Sequence, residues 1–224
     1  MGPVLRWERR QVMRVGILGG SFNPIHFGHL ILALDAAEKG GLDRVFLTPC
    51  ATPPHKPREG LADARHRIAM VDRAVRDDSV LALSVVDVQR GGITYTVDTL
   101  SDFRRRFPGV ELVLILGSDC LRELHTWRNI YAVLEFSEVM VFQRPGTPAV
   151  TPEDIHLKPP WPERLAAAIQ HGHLIEISSS EIRRRIATGQ SFRYFVPDSV
   201  AAYIMQVGLY GWKASDRSEP TRDD

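Results

Sequence analysis

The sequence predicts an α/β fold with a doubly wound, Rossmann-like parallel sheet, formed as a single domain closed by C-terminal helices. Three observations predict it. Short apolar runs of strand type alternate with longer segments of helical period. The first run, "VGILGG" (15–20), ends in glycines directly before a helical pattern. The most apolar stretch, "VELVLILGSD" (110–119), lacks polar alternation, as expected of a central strand buried on both faces.

The elements follow in order. "GHLILALDAAEKGG" (28–41) is predicted helical, with Leu30, Ile31 and Leu34 on one face and Gly40 and Gly41 as the stop. "RVFLTP" (44–49) is the second strand, and "CATPPHKPREG" (50–60) is too rich in proline for regular structure. "ADARHRIAMVDRAVRDD" (62–78) is a helix with Ile68, Val71 and Val75 at core spacing, and "VLALSVVDV" (80–88) is a third strand. "TYTVDTLSDFRRRFPG" (94–109) reads as a helix with Val97, Leu100, Phe103 and Phe107 on one stripe. "SEVMVFQRPG" (137–146) supplies a fifth strand and "GHLIEIS" (172–178) a sixth. "SSEIRRRIATG" (179–189) and "PDSVAAYIMQVG" (197–208) are the closing helices, and the Pro-rich stretch 145–162 is expected as a long surface loop. No internal repeat is visible.

At 224 residues the chain can bury a substantial core. Lys plus Arg at 28 against Asp plus Glu at 27 leaves a net charge of +1, which argues against a general nucleic-acid or membrane-surface role. Two cysteines, Cys50 and Cys120, make no disulfide framework, so a reducing, cytoplasmic setting is expected. The basic N-terminus lacks the apolar segment of a secretory signal, and no run approaches the ~18 apolar residues of a membrane span. Residues 1–13 read as an N-terminal extension, 14–212 as the domain, and 213–224 as a flexible charged tail. The tail and the Pro-rich stretch leave room for contacts in a homo-oligomer.

The chemistry concentrates in "GGSFNPIHFGHL" (19–30), at the first strand-to-helix turn. In an open parallel sheet ligands bind beyond the carboxyl ends of the strands, and this turn is a favoured place. Gly19, Gly20 and Ser21 would let backbone amides approach a phosphate. The segment is neither GxGxxG nor a P-loop. His26 and His29, three apart, can face one side and offer N–H donors to one phosphate. Taken alone the turn stays open between a capping role, a metal site and a phosphate cradle. Cys50 and His55 share a Cys-x4-His spacing with Cys120 and His125, outside the strong zinc signatures.

"ISSSEIRRRI" (177–186) places Ser178, Ser179 and Ser180 at a helix start with Arg183 one turn in. Its hydroxyls, amides and guanidinium suit a polyphosphate, while Ser180 as a plain N-cap is the alternative. "TPPHKP" (52–57) holds Lys56 on a loop that reaches a phosphate or merely solvent. "GGITYTVDTL" (91–100) opens a helix with Thr94, Thr96 and Asp98 as candidate caps. "LGSDCLRELHTWRNI" (116–130) ends the central strand with Asp119, then presents Trp127 and Arg128, suited to stacking on a heteroaromatic ring or to core packing.

The first and last of these motifs resemble the two signatures of the HxGH nucleotidyltransferase superfamily, in the expected order. With TPPHK, TYTVDTL and LGSD…W between them, the chain from about Arg14 to Trp212 resembles the bacterial nicotinate-mononucleotide adenylyltransferases. The resemblance implies that His26, His29, Lys56 and Arg183 are catalytic at the ATP phosphates. It implies ATP binding by Gly19, Gly20, Ser21, Phe22 and Ile177 to Ser180. It assigns nicotinate mononucleotide to Lys56, Thr94, Tyr95, Thr96, Asp119, Trp127 and Arg128. Mg²⁺ would arrive with ATP and no metal would be held by protein ligands alone. Asn23 and Ser180 depart from the aspartate and threonine common in the family. Rivals are phosphopantetheine or cytidylyl transfer, preference for nicotinamide mononucleotide, and a non-catalytic nucleotide-binding regulator.

Overall fold

The computed structural model describes residues 12–53, 60–144 and 146–213. Lys56, His55 and the chain ends before 12 and after 213 lie outside the described residues. Six parallel strands form one sheet: Arg14–Gly20 (β1), Arg44–Pro49 (β2), Leu81–Leu83 (β3), Glu111–Gly117 (β4), Glu138–Phe142 (β5) and Ile169–Gln170 (β6). Their spatial order is β3-β2-β1-β4-β5-β6. The order reverses between β1 and β4, and a crevice outside their carboxyl ends is where such sheets take ligands.

The central strands feed two cores. On β4, Val113 and Ile115 pack on one face, with β1 Leu18 and β2 Val45 and Leu47, under Phe27–Gly40 (α1), Ala64–Val75 (α2), Ser179–Ala187 (α7) and Asp198–Val207 (α8). Leu112, Leu114 and Leu116 pack on the other, with Val15 and Ile17, under Thr96–Arg106 (α4), Ile130–Phe136 (α5) and Trp161–Ala167 (α6). Alternate residues of one strand are thus buried on opposite faces, which is why β4 reads as a continuous apolar run. Among the described residues no helix is long and apolar enough to cross a membrane.

Several expectations are corrected. The sixth strand is Ile169–Gln170, paired with Val141 and Phe142, and residues 172–178 are not a strand. Asp35 of α1 explains the departure: its carboxylate accepts the backbone N–H of His173 at 2.7 Å and contacts His173 Nδ1 at 2.8 Å, drawing the chain off the sheet edge. The third strand is only Leu81–Leu83, because the chain turns into Val86–Arg90 (α3), where Asp87 pairs with Arg90 one turn on. The Pro-rich stretch is not all surface loop. It carries a 3-10 turn at Pro152–Asp154, buries Val150 and Ile155, and enters α6 at the buried Pro162. On α1 the buried face is Ala33, Ala36 and Ala37, while Leu34 is exposed, since small side chains let the helix lie close to the sheet.

Candidate active site

The turn after β1 is built from the inside out. Phe22, at φ 46°, is in a conformation uncommon for a bulky residue, and its fully buried ring holds it there. That ring lies under Gly20, where a Cβ would come within 3.1–3.3 Å of it. It also meets His29 edge-on at 5.0 Å. His26 is the N-cap of α1 and is 5% exposed. The His26 and His29 rings stack at 3.7 Å. The His26 backbone N–H points to His29 Nδ1 at 3.3 Å, so this nitrogen is the acceptor. Gly28 leaves little room between them: a Cβ there would press on the His26 ring, 3.1 Å from its Nδ1, and lie in ordinary contact with the Ile177 carbonyl at 3.6 Å. Burial, aided by the positive charge of Arg144, lowers the His26 pKa from 6.5 to about 4. His26 is therefore neutral at pH 7, with its Nδ1 unpartnered among the described residues.

The second motif meets the first. Ser178, not Ser180, is the N-cap of α7, its Oγ accepting from the Glu181 N–H at 3.1 Å. Ser179 Oγ donates to the Pro24 carbonyl at 2.8 Å. Arg183 donates to the Asn23 carbonyl at 2.8 Å and reaches Ser180 Oγ at 3.3 Å. Residues 155 to 160 positions apart in sequence thus share one end of the sheet. Asp119 opens the 3-10 helix Ser118–Thr126 after β4 and pairs with Arg144, beyond β5, at 2.7 Å.

A cavity of about 440 Å³ adjoins the turn on the side of β2 and α4. Gly19, Gly20 and Ser21 form one wall, Thr94, Tyr95 and Thr96 another, and Trp127 and Arg128 a third. A Cβ on Gly19 would meet nothing within 4 Å, so the backbone there is open to a ligand. Thr94 and Thr96 do not cap α4: its N-cap is Tyr95, without a side-chain cap bond, and Thr94 Oγ1 instead accepts the Ala51 N–H at 2.9 Å. The Arg128 guanidinium lies 4.8 Å over the Tyr95 ring and 3.8 Å from Asp98. Cys50 and Cys120 also line the cavity; they form no disulfide, and burial pushes the Cys120 thiol up to about 11. His26, His29, Asp119 and Arg183 do not line this cavity. The histidine turn and the aromatic-walled cavity thus meet at Gly19–Ser21.

A family model described as Cytidylyltransferase-like matches residues 17–185. A protein of Desulfitobacterium hafniense named "Probable nicotinate-nucleotide adenylyltransferase" is 40% identical, over 88% of this chain and 95% of its own. One of the same name from Opitutus terrae is also 40% identical, over 88% and 98%. The chain belongs to the nicotinate-nucleotide adenylyltransferase family. The fold agrees: a Plasmodium falciparum nicotinic acid mononucleotide adenylyltransferase, solved in complex with NaAD, superposes with a TM-score of 0.68 at 18% identity, over 90% of this chain and 98% of that one.

Within this adenylyltransferase fold, four residues hold the site together; sequence reasoning singled out Asn23 only as a departure from the family and passed over the other three. Arg67 is 1% exposed and donates to three backbone carbonyls, those of Ala62, Ser21 and Ala51, each at 3.0 Å. Asn23 Nδ2 donates to the Gly60 carbonyl at 2.8 Å, while its Oδ1 accepts from Ala62 N–H at 3.0 Å and Tyr210 O–H at 2.9 Å. Arg144 pairs with Asp119 and acts on His26. Asp87 lies buried in the cavity wall, its carboxyl pushed up by burial against the opposing pull of Thr99 and Arg90. One signal was available for Arg67: it stands at the helix spacing of Met70 and Val71, which are buried.

Proposed function

We propose that this chain transfers the adenylyl group of MgATP to nicotinate mononucleotide, giving nicotinic acid adenine dinucleotide and pyrophosphate, a step of NAD biosynthesis. The observation that carries it is the meeting at Gly19–Ser21 of a paired-histidine turn, held to the serine-arginine helix start, with an aromatic cavity that includes Arg128. A phosphate oxygen of the mononucleotide attacks the α-phosphorus of ATP. The new P–O bond forms as the bond to the bridging oxygen breaks, and pyrophosphate leaves with that electron pair. Such in-line transfer needs positioning and charge stabilisation rather than a covalent nucleophile.

His29 suits the first task, with its ring oriented by the bond at Nδ1 and by stacking on His26. His26, kept neutral by burial, stacks on His29 and orients it without bringing a charge that must be desolvated. Arg183 is held by the Asn23 carbonyl, so its guanidinium is oriented before ATP arrives. Lys56 is assigned to the same phosphates by the family motif. Trp127 would stack on the nicotinate ring, Arg128 and the Thr94–Thr96 segment would meet its carboxylate, and Asp119 with Arg144 would meet a ribose. Mg²⁺ would enter as part of the substrate, bound to the ATP phosphates. Cys50 and Cys120, not joined in a disulfide, suit a reducing cytoplasm. Pyrophosphate release from ATP with nicotinate mononucleotide, nicotinamide mononucleotide or phosphopantetheine tests the reading. Fastest turnover with the first supports it; turnover only with either of the others, or none at all, refutes it.

A further inference from the structure

The cavity wall holds a buried carboxylate for which adenylyl transfer has no use. Asp87 lines the cavity together with Trp127 and Arg128, and its side chain is 3% exposed. Its Oδ1 is used twice, accepting from Thr99 Oγ1 at 2.6 Å and from Arg90 at 2.6 Å. Oδ2 accepts no bond from any of the described residues, and the residue lines the cavity. Arg90 does not cancel the charge, because its other arm is engaged by Asp102 at 2.5 Å, leaving two carboxylates on one guanidinium. Arg105, itself largely exposed, adds a contact to Asp102 only.

A half-satisfied anion in a cavity wall is costly unless something complementary enters. Arg128, more than half exposed, brings the opposite charge to the same cavity. The walls therefore offer an aromatic plane, a buried anion and a cation at once. That set matches a zwitterionic aromatic ring with a cationic nitrogen and an anionic substituent. We propose that Asp87 is a specificity-determining residue that reads the positive charge of the pyridinium ring, so that the cavity discriminates an N-glycosylated pyridinium from its neutral dihydropyridine form. The proposal rests on the function above and deepens it by naming the charge state of the ring that is selected.

The test uses nicotinate mononucleotide and its 1,4-dihydro form, which differ in ring charge, with dissociation constants read by calorimetry. The wild-type chain should bind the pyridinium form at least tenfold more tightly. Asp87→Asn keeps an acceptor for Thr99 and Arg90; it should weaken the pyridinium form about tenfold and the dihydro form less than twofold. Asp87→Glu, which keeps the charge, should retain the preference. Equal weakening of both ligands would assign Asp87 to scaffolding and overturn the proposal. So would a wild-type chain that does not distinguish them, a result that stands even where Asp87→Asn fails to fold. A wild-type chain that binds both ligands with the stated preference but releases no pyrophosphate with ATP refutes the function reading while leaving the role of Asp87 supported.

Discussion

Lowering the pH from 7 to 4 should destabilise the fold by roughly 3 kcal/mol through His26 alone. In the unfolded chain this imidazole takes a proton near pH 6.5; in the folded chain burial, with a smaller push from Arg144, holds protonation off until about pH 4. Between those values the unfolded state binds more protons than the folded state, so stability is complete above pH 6.5, drains as the pH falls, and is fully lost below about 4. At about 1.4 kcal/mol per pH unit, that interval gives the figure stated. Urea unfolding of the wild type and of His26→Asn across this range isolates it, because carboxylates elsewhere titrate in both chains and cancel in the difference. The wild-type advantage should shrink by roughly 3 kcal/mol from pH 7 to 4, and the His26 ring resonance should titrate near 4. A difference that stays flat to within about 0.5 kcal/mol, or a ring that titrates near 6.5, would show that the desolvation argument is wrong.

Replacing His29 by alanine should lower kcat by roughly two to three powers of ten with the fold intact, as for loss of one preorganised donor to a reacting phosphate; near-normal turnover of a folded variant refutes that role. Gly28→Ala should separate activity from stability. The added Cβ meets the His26 ring at 3.1–3.2 Å, so turnover should fall about tenfold while thermal stability changes by no more than about 1 kcal/mol. Arg67→Met leaves the Ala62, Ser21 and Ala51 carbonyls without their donor and should cost roughly 3 kcal/mol or more in urea unfolding; a variant as stable as wild type counts against that account.

Local signals made the sheet legible wherever burial was two-sided. β1, β2, β4 and β5 stand where their apolar runs lie, and Gly41, at φ 55°, ends α1 as its position suggests. Misreadings arose where a side chain overrode propensity. "GHLIEIS" has the composition of a strand, but Asp35, 138 residues earlier in the chain, takes the His173 amide that a ladder would use. "SVVDV" is β-branched, yet the contacts of Asp87 with Arg90 and Thr99 stabilise a helical turn there. At the site, the family motifs named residues that would face a ligand, such as His29, Thr96 and Trp127. They were silent on Arg67 and Arg144, whose partners are backbone carbonyls or distant loops that no local spacing encodes.

Asn23 shows how much the site depends on such partners. Its carbonyl receives Arg183 from α7, its Nδ2 donates to Gly60, and its Oδ1 receives Ala62 N–H and the Tyr210 hydroxyl. One residue of the turn therefore ties together the approach to α2, the start of α7 and the turn Leu209–Gly211 beyond α8. The amide is matched to this position because it donates on one side and accepts on the other. An ionised aspartate would turn the Nδ2–Gly60 bond into a contact between two acceptors. The aspartate common in this family therefore demands a different arrangement around the Gly60 carbonyl, or a proton on the acid. Here the short polar side chain, neither charged nor catalytic, is what lets histidines, arginine and cavity wall converge on a single turn.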